Sequence, residues 1–404
     1  MTPERFGALW RSLAHVGRDA TSGGYLRYSF GDADLRCREW FTEEALDRDL
    51  SVETDRNGNV WAWWGDQRGS DAVVTGSHLD SVPHGGAYDG PLGVVSALLA
   101  IDVLRERGLS APHRPIAVVV FAEEEGARFG VPCLGSRLMT GAIAPEQVRT
   151  LRDRDRMTYA DGLLAADLDP DRFGPDTERL GRIGVFVELH VEQGKALVEL
   201  DAPIGVADAI WPHGRWRITI DGAGDHAGTT RMSDRRDPML TFAYGVLAAN
   251  KEARLAGAHA TVGRVAVEPG ATNAIPSRVT AWLDARAADP STLDAVVAAV
   301  SGRLTERAGR DGTTVEIVAE SVSPSVSFDP ELRDRIVKTL GGPPVLPTGA
   351  GHDAGVLSAH VPTAMLFVRN PTGVSHAPGE HATDVDCAAG VNALADVLAE
   401  LAWR

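Results

Sequence analysis

The chain is poor in cysteine and has no long apolar run. Its 3 cysteines among 404 residues, Cys37, Cys133 and Cys387, are far apart and odd in number, so neither a disulfide framework nor a cysteine-built structural zinc site follows from them. No stretch reaches the roughly 18 consecutive apolar residues that a membrane-crossing helix needs. The opening segment, MTPERFGALWRSLAHVG, carries early charge and lacks the apolar region of a secretory signal, so a cytoplasmic location is expected. Basic residues are the minority: 40 Lys and Arg stand against 56 Asp and Glu, for a formal net charge of −16. That is the wrong sign for a nucleic-acid or anionic-membrane binder, and no strongly basic cluster offsets it. Repeats and low-complexity segments are also lacking. With 44% hydrophobic and 24% charged residues, the composition excludes a disordered, collagen-like or coiled-coil chain. At roughly 150 residues per domain, two or three domains are expected.

What is present is an alternation of strand-like and helix-like segments. Helices read around Phe6–Gly17 and Ala33–Asp49. Val52–Glu53 and Val60–Trp64 flank an Asn57-Gly58 turn and predict a hairpin. A short apolar strand from Ala72 ends at Ser77-His78, Leu92–Arg107 has helical spacing, and Ile116–Ala122 is the continuous apolar run of a strand buried on both faces. This order predicts an α/β fold with a mostly parallel sheet. Near residue 210 the character changes. Trp216, Ile218 and Ile220 alternate with polar residues over Arg215–Asp221, as in a strand with one solvated face. Then follow a helix over Pro238–Ala256, strands at Thr261–Val267 and Arg278–Arg286, a helix over Ser291–Ala308 and a strand at Thr314–Glu320. That βαββαβ order predicts an inserted ferredoxin-like α+β domain. Helix Pro330–Leu340, strand Ala364–Arg369 and helix Val385–Ala402 return to α/β character. The expected organisation is a catalytic domain of residues 1–210 and 325–404, interrupted by a lid domain of residues 211–324.

Four clusters of chemically active residues fall at strand ends. The first runs from Gly76 to Gly93. In an extended chain residues i and i+2 share a face, so Asp80 is placed to orient the His78 imidazole. Asp89 stands in a glycine-rich loop just before a helix. His78 also reads as a strand-end polar residue, and Asp89 as a helix N-cap. The second cluster, Ala122-Glu-Glu-Glu-Gly-Ala-Arg-Phe129, puts adjacent carboxylates where open α/β sheets bind ligands. They repel one another unless a cation is near; the alternative is a solvated acidic turn. Val187-Glu-Leu-His190-Val-Glu-Gln-Gly194 and Gly373-Val-Ser-His376-Ala-Pro-Gly-Glu380 complete the set. Together they offer mixed nitrogen and oxygen ligands suited to zinc, or to manganese, cobalt or nickel, without cysteine.

The strings GSHLDSVPHGGAYDG, AEEEGARFG, VELHVEQG, GDHAGTTRMSDRRDP, GATNAIPSRV, GAGHDAG and GVSHAPGE resemble those of the hydantoinase/carbamoylase branch of dimetal amidohydrolases. That branch is related to aminoacylases and carboxypeptidases, and holds N-carbamoyl-L-amino-acid hydrolases, allantoate amidohydrolases and β-ureidopropionases. The resemblance implies a metallopeptidase-like catalytic domain, a lid that also dimerises, and two divalent ions per subunit. His78 and His190 are then ligands of one ion, Glu125 and His376 of the other, and Asp89 bridges. Glu124 is the general base. The run Glu123-Glu124-Glu125 leaves a one-residue ambiguity, resolved by taking the last glutamate before Gly126 as the ligand. His226 is the implied oxyanion donor, reaching the partner subunit's site. Gln193 is the implied ureido contact, Asn273 and Arg286 the implied carboxylate contacts, and Gly349, Gly351 and His352 a substrate-facing loop.

Arg286 stands at a strand end, where a guanidinium can grip a carboxylate bidentately or pair with Asp284 or Asp289. His226 also reads as a surface-loop histidine. Trp211 and His213, at the domain junction, either shape the substrate pocket or pack the hinge. Trp61, Trp63 and Trp64 read as hairpin and core packing, and Arg152–Arg156 as a solvated helix face or loop. The expected activity is hydrolysis of the ureido C–N bond of a small carboxylate substrate, allantoate or an N-carbamoyl-L-amino acid, by a homodimer. A dipeptidase or aminoacylase using the same metal pair, and a non-catalytic binding protein of this fold, are the alternatives.

Overall fold

The computed structural model describes residues 1–404, which form two units. The first comprises Met1–Asp208, Ser327–Pro347 and Gly351–Arg404. At its centre, strands Ile116–Phe121, Ala72–His78, Ile183–Val191 and Thr363–Val368 lie side by side in that order and run parallel. Antiparallel strands flank them. Val60–Trp64 pairs with Ile116–Phe121 and with Ser51–Thr54 on one side, and Ile204–Ile210 pairs with Thr363–Val368 on the other. This is the mixed α/β architecture, parallel at its centre, that the alternation predicted.

Burial explains the sequence of these strands. Ala72–His78, Ile116–Phe121 and Thr363–Val368 are buried at every position, so their apolar runs do not alternate. Helix Pro91–Glu106 is buried over most of its circumference, and Leu92, Val95, Leu99 and Leu104 join Val391, Leu394 and Leu398 of helix Asp384–Trp403 in one core. In the hairpin, Thr54 pairs with Val60. Its turn is closed by Asp55, which accepts the Asn57 and Asn59 N–H groups at 2.9 and 3.0 Å and the Trp61 indole at 3.0 Å. Trp61 and Trp63 are buried and stacked, 6.0 Å apart. A second aromatic cluster of Phe30, Phe129, Tyr159 and Phe173, in edge-on contacts, anchors the segment that follows strand Ile116–Phe121.

The second unit comprises Ala209–Val326 and Thr348–Ala350. Its four-stranded antiparallel sheet has the order Thr314–Ser323, His213–Asp221, Arg278–Arg286, His259–Glu268. Helices Pro238–Ala256 and Pro290–Asp311 contribute Ala249, Ala253, Leu293, Val296, Val300 and Leu304 to a core shared with Trp216, Ile218, Ile220 and Leu283. The βαββαβ order with strands arranged fourth, first, third, second is the ferredoxin-like topology. No helix of either unit is long and apolar enough to cross a membrane. Strand Ile204–Ile210 and the short pair Asp225–His226 with Ala274–Ile275 lie outside the elements read from sequence; the first is built largely of small residues around Asp208, and the second is too short to carry a periodic signal. The Arg152–Arg156 run is loop, and its Asp153 is bound to Arg128 at 2.9 Å.

One backbone position fixes the register of the site strands. Gly76 has φ +146°, and a Cβ there would stand 1.9 Å from the Val119 carbonyl oxygen of the neighbouring parallel strand. Gly76→Ala is therefore expected to lower stability by about 3 kcal/mol, from backbone strain plus overpacking. Urea unfolding followed by tryptophan fluorescence checks this; an unchanged midpoint would contradict it.

Candidate metal centre

The parallel strands deliver their chemistry to one edge. Strand Ala72–His78 ends in His78, Ile116–Phe121 runs into Glu123–Glu125, Ile183–Val191 carries His190 next to its end, and Thr363–Val368 leads to the His376 loop. Carboxyl ends of adjacent parallel strands are where open α/β sheets form sites. Here they converge on Asp89, just ahead of helix Pro91–Glu106.

Asp89 uses its two oxygens differently. Oδ1 lies 3.4 Å from His78 Nε2 and 3.2 Å from His190 Nε2. Oδ2 lies 3.3 Å from His376 Nε2. Glu125 Oε2 is 3.4 Å from the same His376 nitrogen. Two ligand groups result, His78, Asp89 and His190, and Asp89, Glu125 and His376; within each, the ligand atoms lie within 4.8 Å of one another. Close approach is possible because Gly90, at φ +85°, has no side chain; a Cβ there would be 2.4 Å from the His78 ring.

The imidazoles are aimed by backbone. His78 Nδ1 meets the Asp80 carbonyl at 3.1 Å, and His190 Nδ1 meets the Val191 carbonyl at 2.9 Å. Both Nε2 atoms thus face Asp89, buried and close to its Oδ1 but without a well-aligned hydrogen bond. Asp80 was expected to hold His78 through its carboxylate. Its main-chain oxygen takes that place, while Oδ1 stands 3.6 Å from Nδ1. The Asp80 carboxylate instead accepts the N–H groups of Glu124 and Glu125 at 3.2 and 3.1 Å, clamping the acidic turn to the His78 strand end.

The three adjacent glutamates diverge. Glu123 sits at φ +54° and turns into the protein, where it accepts the Arg128 and Phe129 N–H groups at 2.9 and 2.6 Å. Glu124 points to the His78 side, with Oε2 3.6 Å from His78 Nε2 and Oε1 3.4 Å from the Cys133 sulfur. Glu125 points to the His376 side and also accepts the Val82 N–H at 3.3 Å.

Other residues surround this centre. Gln193 donates to Asp89 Oδ2 at 2.7 Å and to Ser375 at 3.2 Å. Ser375 reaches the same Asp89 oxygen at 3.3 Å. His352 is buried 4.5 Å from the His190 ring, with Nε2 unpartnered, while Gly351 beside it is exposed. Glu188, two residues before His190 and so on the same face, accepts Ser77 at 2.7 Å and the Ala354 N–H at 3.1 Å. Glu188, His190 and His352 form a third group of potential ligands. Sequence reading passed over Glu188 and Ser375, although each lies within two residues of a singled-out histidine.

The remaining candidates belong to the second unit. His226 and Asn273 are exposed neighbours: His226 pairs with Ala274, and the Ala227 N–H bonds the Asn273 carbonyl at 3.0 Å. Arg286 holds Asp284 through Nε at 2.9 Å and Nη2 at 3.2 Å, and bonds the Gly349 carbonyl through Nη1 at 2.6 Å. Trp211 stacks on His259 at 5.6 Å and donates its N–H to Thr348, and His213 Nδ1 meets the Trp211 carbonyl.

Electrostatics point to a cation. Burial alone would raise Asp89, but the imidazoles of His190, His376 and His78 hold its carboxyl well below the usual range. Burial pushes Glu124 well above its ordinary value, and burial with the Asp89 charge pushes Glu125 up to about 7. Burial opposes charging of His78, yet Glu124, Asp80 and Asp89 lift it well above 6.5. His376 is raised to about 9 against the effect of burial, by Asp89 and Glu125. His352, by contrast, is driven well below 6.5 by burial and by His190, and is neutral. Unpartnered buried imidazole nitrogens around a shared carboxylate are a donor set that fits divalent metal ions.

The arrangement is that of a metallohydrolase, and the sequence agrees. The chain belongs to peptidase family M20/M25/M40, whose model matches residues 74–400, and within it to the hydantoinase/carbamoylase amidases. It is 37% identical to an N-carbamoyl-L-amino acid amidohydrolase of Geobacillus stearothermophilus, over 98% of this chain and 97% of that one. It is 32% identical to an allantoate amidohydrolase of Escherichia coli, over 97% and 96%. A crystal structure of a hydantoinase/carbamoylase family amidase from Burkholderia vietnamiensis superposes with a TM-score of 0.89 at 29% identity, covering 100% of this chain and 98% of that one.

A metal ion must displace the protons that His78, His376 and Glu125 hold near neutral pH. Calorimetric titration of the metal-free protein with Zn²⁺ or Mn²⁺ at pH 7 is expected to show an enthalpy that depends on buffer ionisation, reporting net proton release. Affinity is expected to fall as pH is lowered from 8 to 6. A buffer-independent enthalpy would contradict this protonation picture.

Proposed function

We propose that the chain is a metal-dependent amidohydrolase that cleaves the ureido C–N bond of a small carboxylate substrate, allantoate or an N-carbamoyl-L-amino acid. The observation that carries this reading is Asp89 facing His78 and His190 with one oxygen and His376 with the other, with Glu124 buried beside them. His78 and His190 would hold one divalent ion and Glu125 and His376 the other, with Asp89 placed to serve both. Zinc, or manganese, cobalt or nickel, suits these ligands. When bound, such a pair lowers the pKa of a water and polarises the ureido carbonyl.

The chain's own residues do the rest. Glu124 takes the proton of the attacking water and passes it to the leaving nitrogen; its buried, raised carboxyl suits both halves of that task. Asp80 keeps Glu124 in place through the backbone. Gln193 meets the ureido group, and the Gly349, Gly351 and His352 loop meets the substrate's polar end. Asn273 and Arg286 bind the carboxylate; beyond its bonds to Asp284 and Gly349, each Nη of Arg286 keeps one N–H for it. His226 stabilises the oxyanion in the partner's site.

Homodimerisation through the second unit is supported by its surface. Strand His259–Glu268 is an edge strand, and helix Pro238–Ala256 exposes Leu240, Leu247 and Leu255 at 47%, 70% and 69%. A cytoplasmic location fits three buried, free cysteines.

The test is ammonia release by metal-loaded protein from allantoate and from several N-carbamoyl-L-amino acids, beside amine release from N-acyl amino acids and dipeptides. Chelator-sensitive turnover of a ureido substrate is expected. Turnover of acyl or peptide substrates alone would move the protein to the aminoacylase or dipeptidase reading. Glu124→Gln is expected to lower kcat by about 10²–10⁴-fold with metal content unchanged; loss of metal would shift the ligand to Glu124. An equal mixture of Glu124→Gln and His226→Ala subunits is expected to recover about a quarter of wild-type activity, because half the dimers carry one intact shared site. No recovery would place His226 in its own subunit's chemistry.

A further inference from the structure

We propose that Glu380 is a positioning residue that fastens the loop carrying Asp89 to the loop carrying His376. This rests on the reading above that Asp89 is shared between two ions.

Glu380 is 4% exposed, and one oxygen, Oε1, accepts two consecutive backbone N–H groups, Tyr88 at 2.7 Å and Asp89 at 2.9 Å. The partners are more than 290 residues apart in the chain. Glu380 is in turn held by its own N–H, which bonds the Ala377 carbonyl at 3.0 Å and closes the turn after His376. Gly86 makes the approach possible: a Cβ there would lie 2.3 Å from the Glu380 carboxyl. At the other end of the loop, Gly90 lies against the His78 ring. The loop is thus held between Glu380 and His78. The Tyr88 ring is pinned as well, stacked on Trp10 at 4.6 Å and edge-on to His381 at 5.8 Å.

On Asp89, Gln193 and Ser375 touch only the carboxylate. Glu380 is what holds its backbone. Because both ligand groups contain Asp89, a shift of this loop disturbs both at once, whereas loss of an unshared ligand disturbs one. One acceptor oxygen shared by two adjacent buried N–H groups is a tether costly to lose, and residues that orient ligands typically govern metal affinity by about 10–100-fold. A glutamine keeps an acceptor oxygen in the same place; an alanine leaves both N–H groups buried and unpaired.

The experiment titrates Mn²⁺ into metal-free wild type, Glu380→Gln and Glu380→Ala by calorimetry, and measures amide hydrogen exchange at Tyr88 and Asp89 in the same metal-free samples. Glu380→Ala is expected to lose about 10–100-fold in affinity at both sites together, with faster exchange at both amides. Glu380→Gln is expected to stay close to wild type in both readouts. Gly86→Ala, which wedges a methyl against the carboxyl, is expected to reproduce the alanine phenotype and covers the case in which Glu380→Ala does not fold. Wild-type affinity in Glu380→Ala, loss at one site only, or a glutamine variant as impaired as alanine would each overturn the proposal. A wild type that binds no Mn²⁺ would overturn the shared-Asp89 reading instead, and the exchange data would still decide whether Glu380 tethers the loop.

Discussion

A single carboxylate, Asp89, must face three imidazoles at once, and much of the first unit is arranged to make that possible. The His78 and His190 strands are neighbours in the parallel sheet, and their imidazoles come in from one side. His376, from the loop after the next strand, comes in from the other. Register errors in a sheet reverse every side chain, so the pairing of these strands sets which groups reach the edge. Gly76 lets the His78 strand pair closely with Ile116–Phe121, Gly90 lets the aspartate loop lie on His78, and the Asp80 carboxylate ties the acidic turn to the same strand end.

Charge makes this arrangement costly in the absence of a cation. Glu124, Glu125, Glu188 and Asp353 are all raised by burial and crowd around the histidines. Some backbone strain lies here too: Glu123, Cys133 and His376 are three of the ten non-glycine residues with positive φ. Buried carboxyl groups crowded at one sheet edge mark a site kept for function at the expense of stability. The surrounding scaffold, with its uninterrupted apolar strands and nearly all-buried helix, supplies the rigidity that tolerates it.

The fold was largely legible in the sequence because its signals are local. Both-face burial wrote Ile116–Phe121 as an unbroken apolar run, one-face burial wrote Trp216, Ile218 and Ile220 as an alternation, and proline with an Asp N-cap marked the start of helix Pro238–Ala256. Strand Ile204–Ile210 escaped because Gly205, two alanines and the charge of Asp208 leave it neither an unbroken run of bulky apolar residues nor a clear alternation. At the site, the strand-end positions of His78 and His190 and the pre-helix loop of Asp89 were readable, and family likeness supplied their grouping. What spacing could not carry were long-range contacts: Glu380 on the Asp89 backbone, Ser375 on its carboxylate, the Asp80 main-chain oxygen in place of its carboxylate on His78, and the Arg286 hold on Asp284. Each depends on tertiary proximity and rotamer, which a linear pattern does not encode.

The central claim is that Asp89 is shared between two metal ions. The most direct measurement is anomalous X-ray scattering from crystals of the zinc-loaded protein. Two zinc positions are expected, one against Asp89 Oδ1 with His78 and His190, the other against Oδ2 with Glu125 and His376. A single zinc, or one seated among Glu188, His190 and His352, would contradict it.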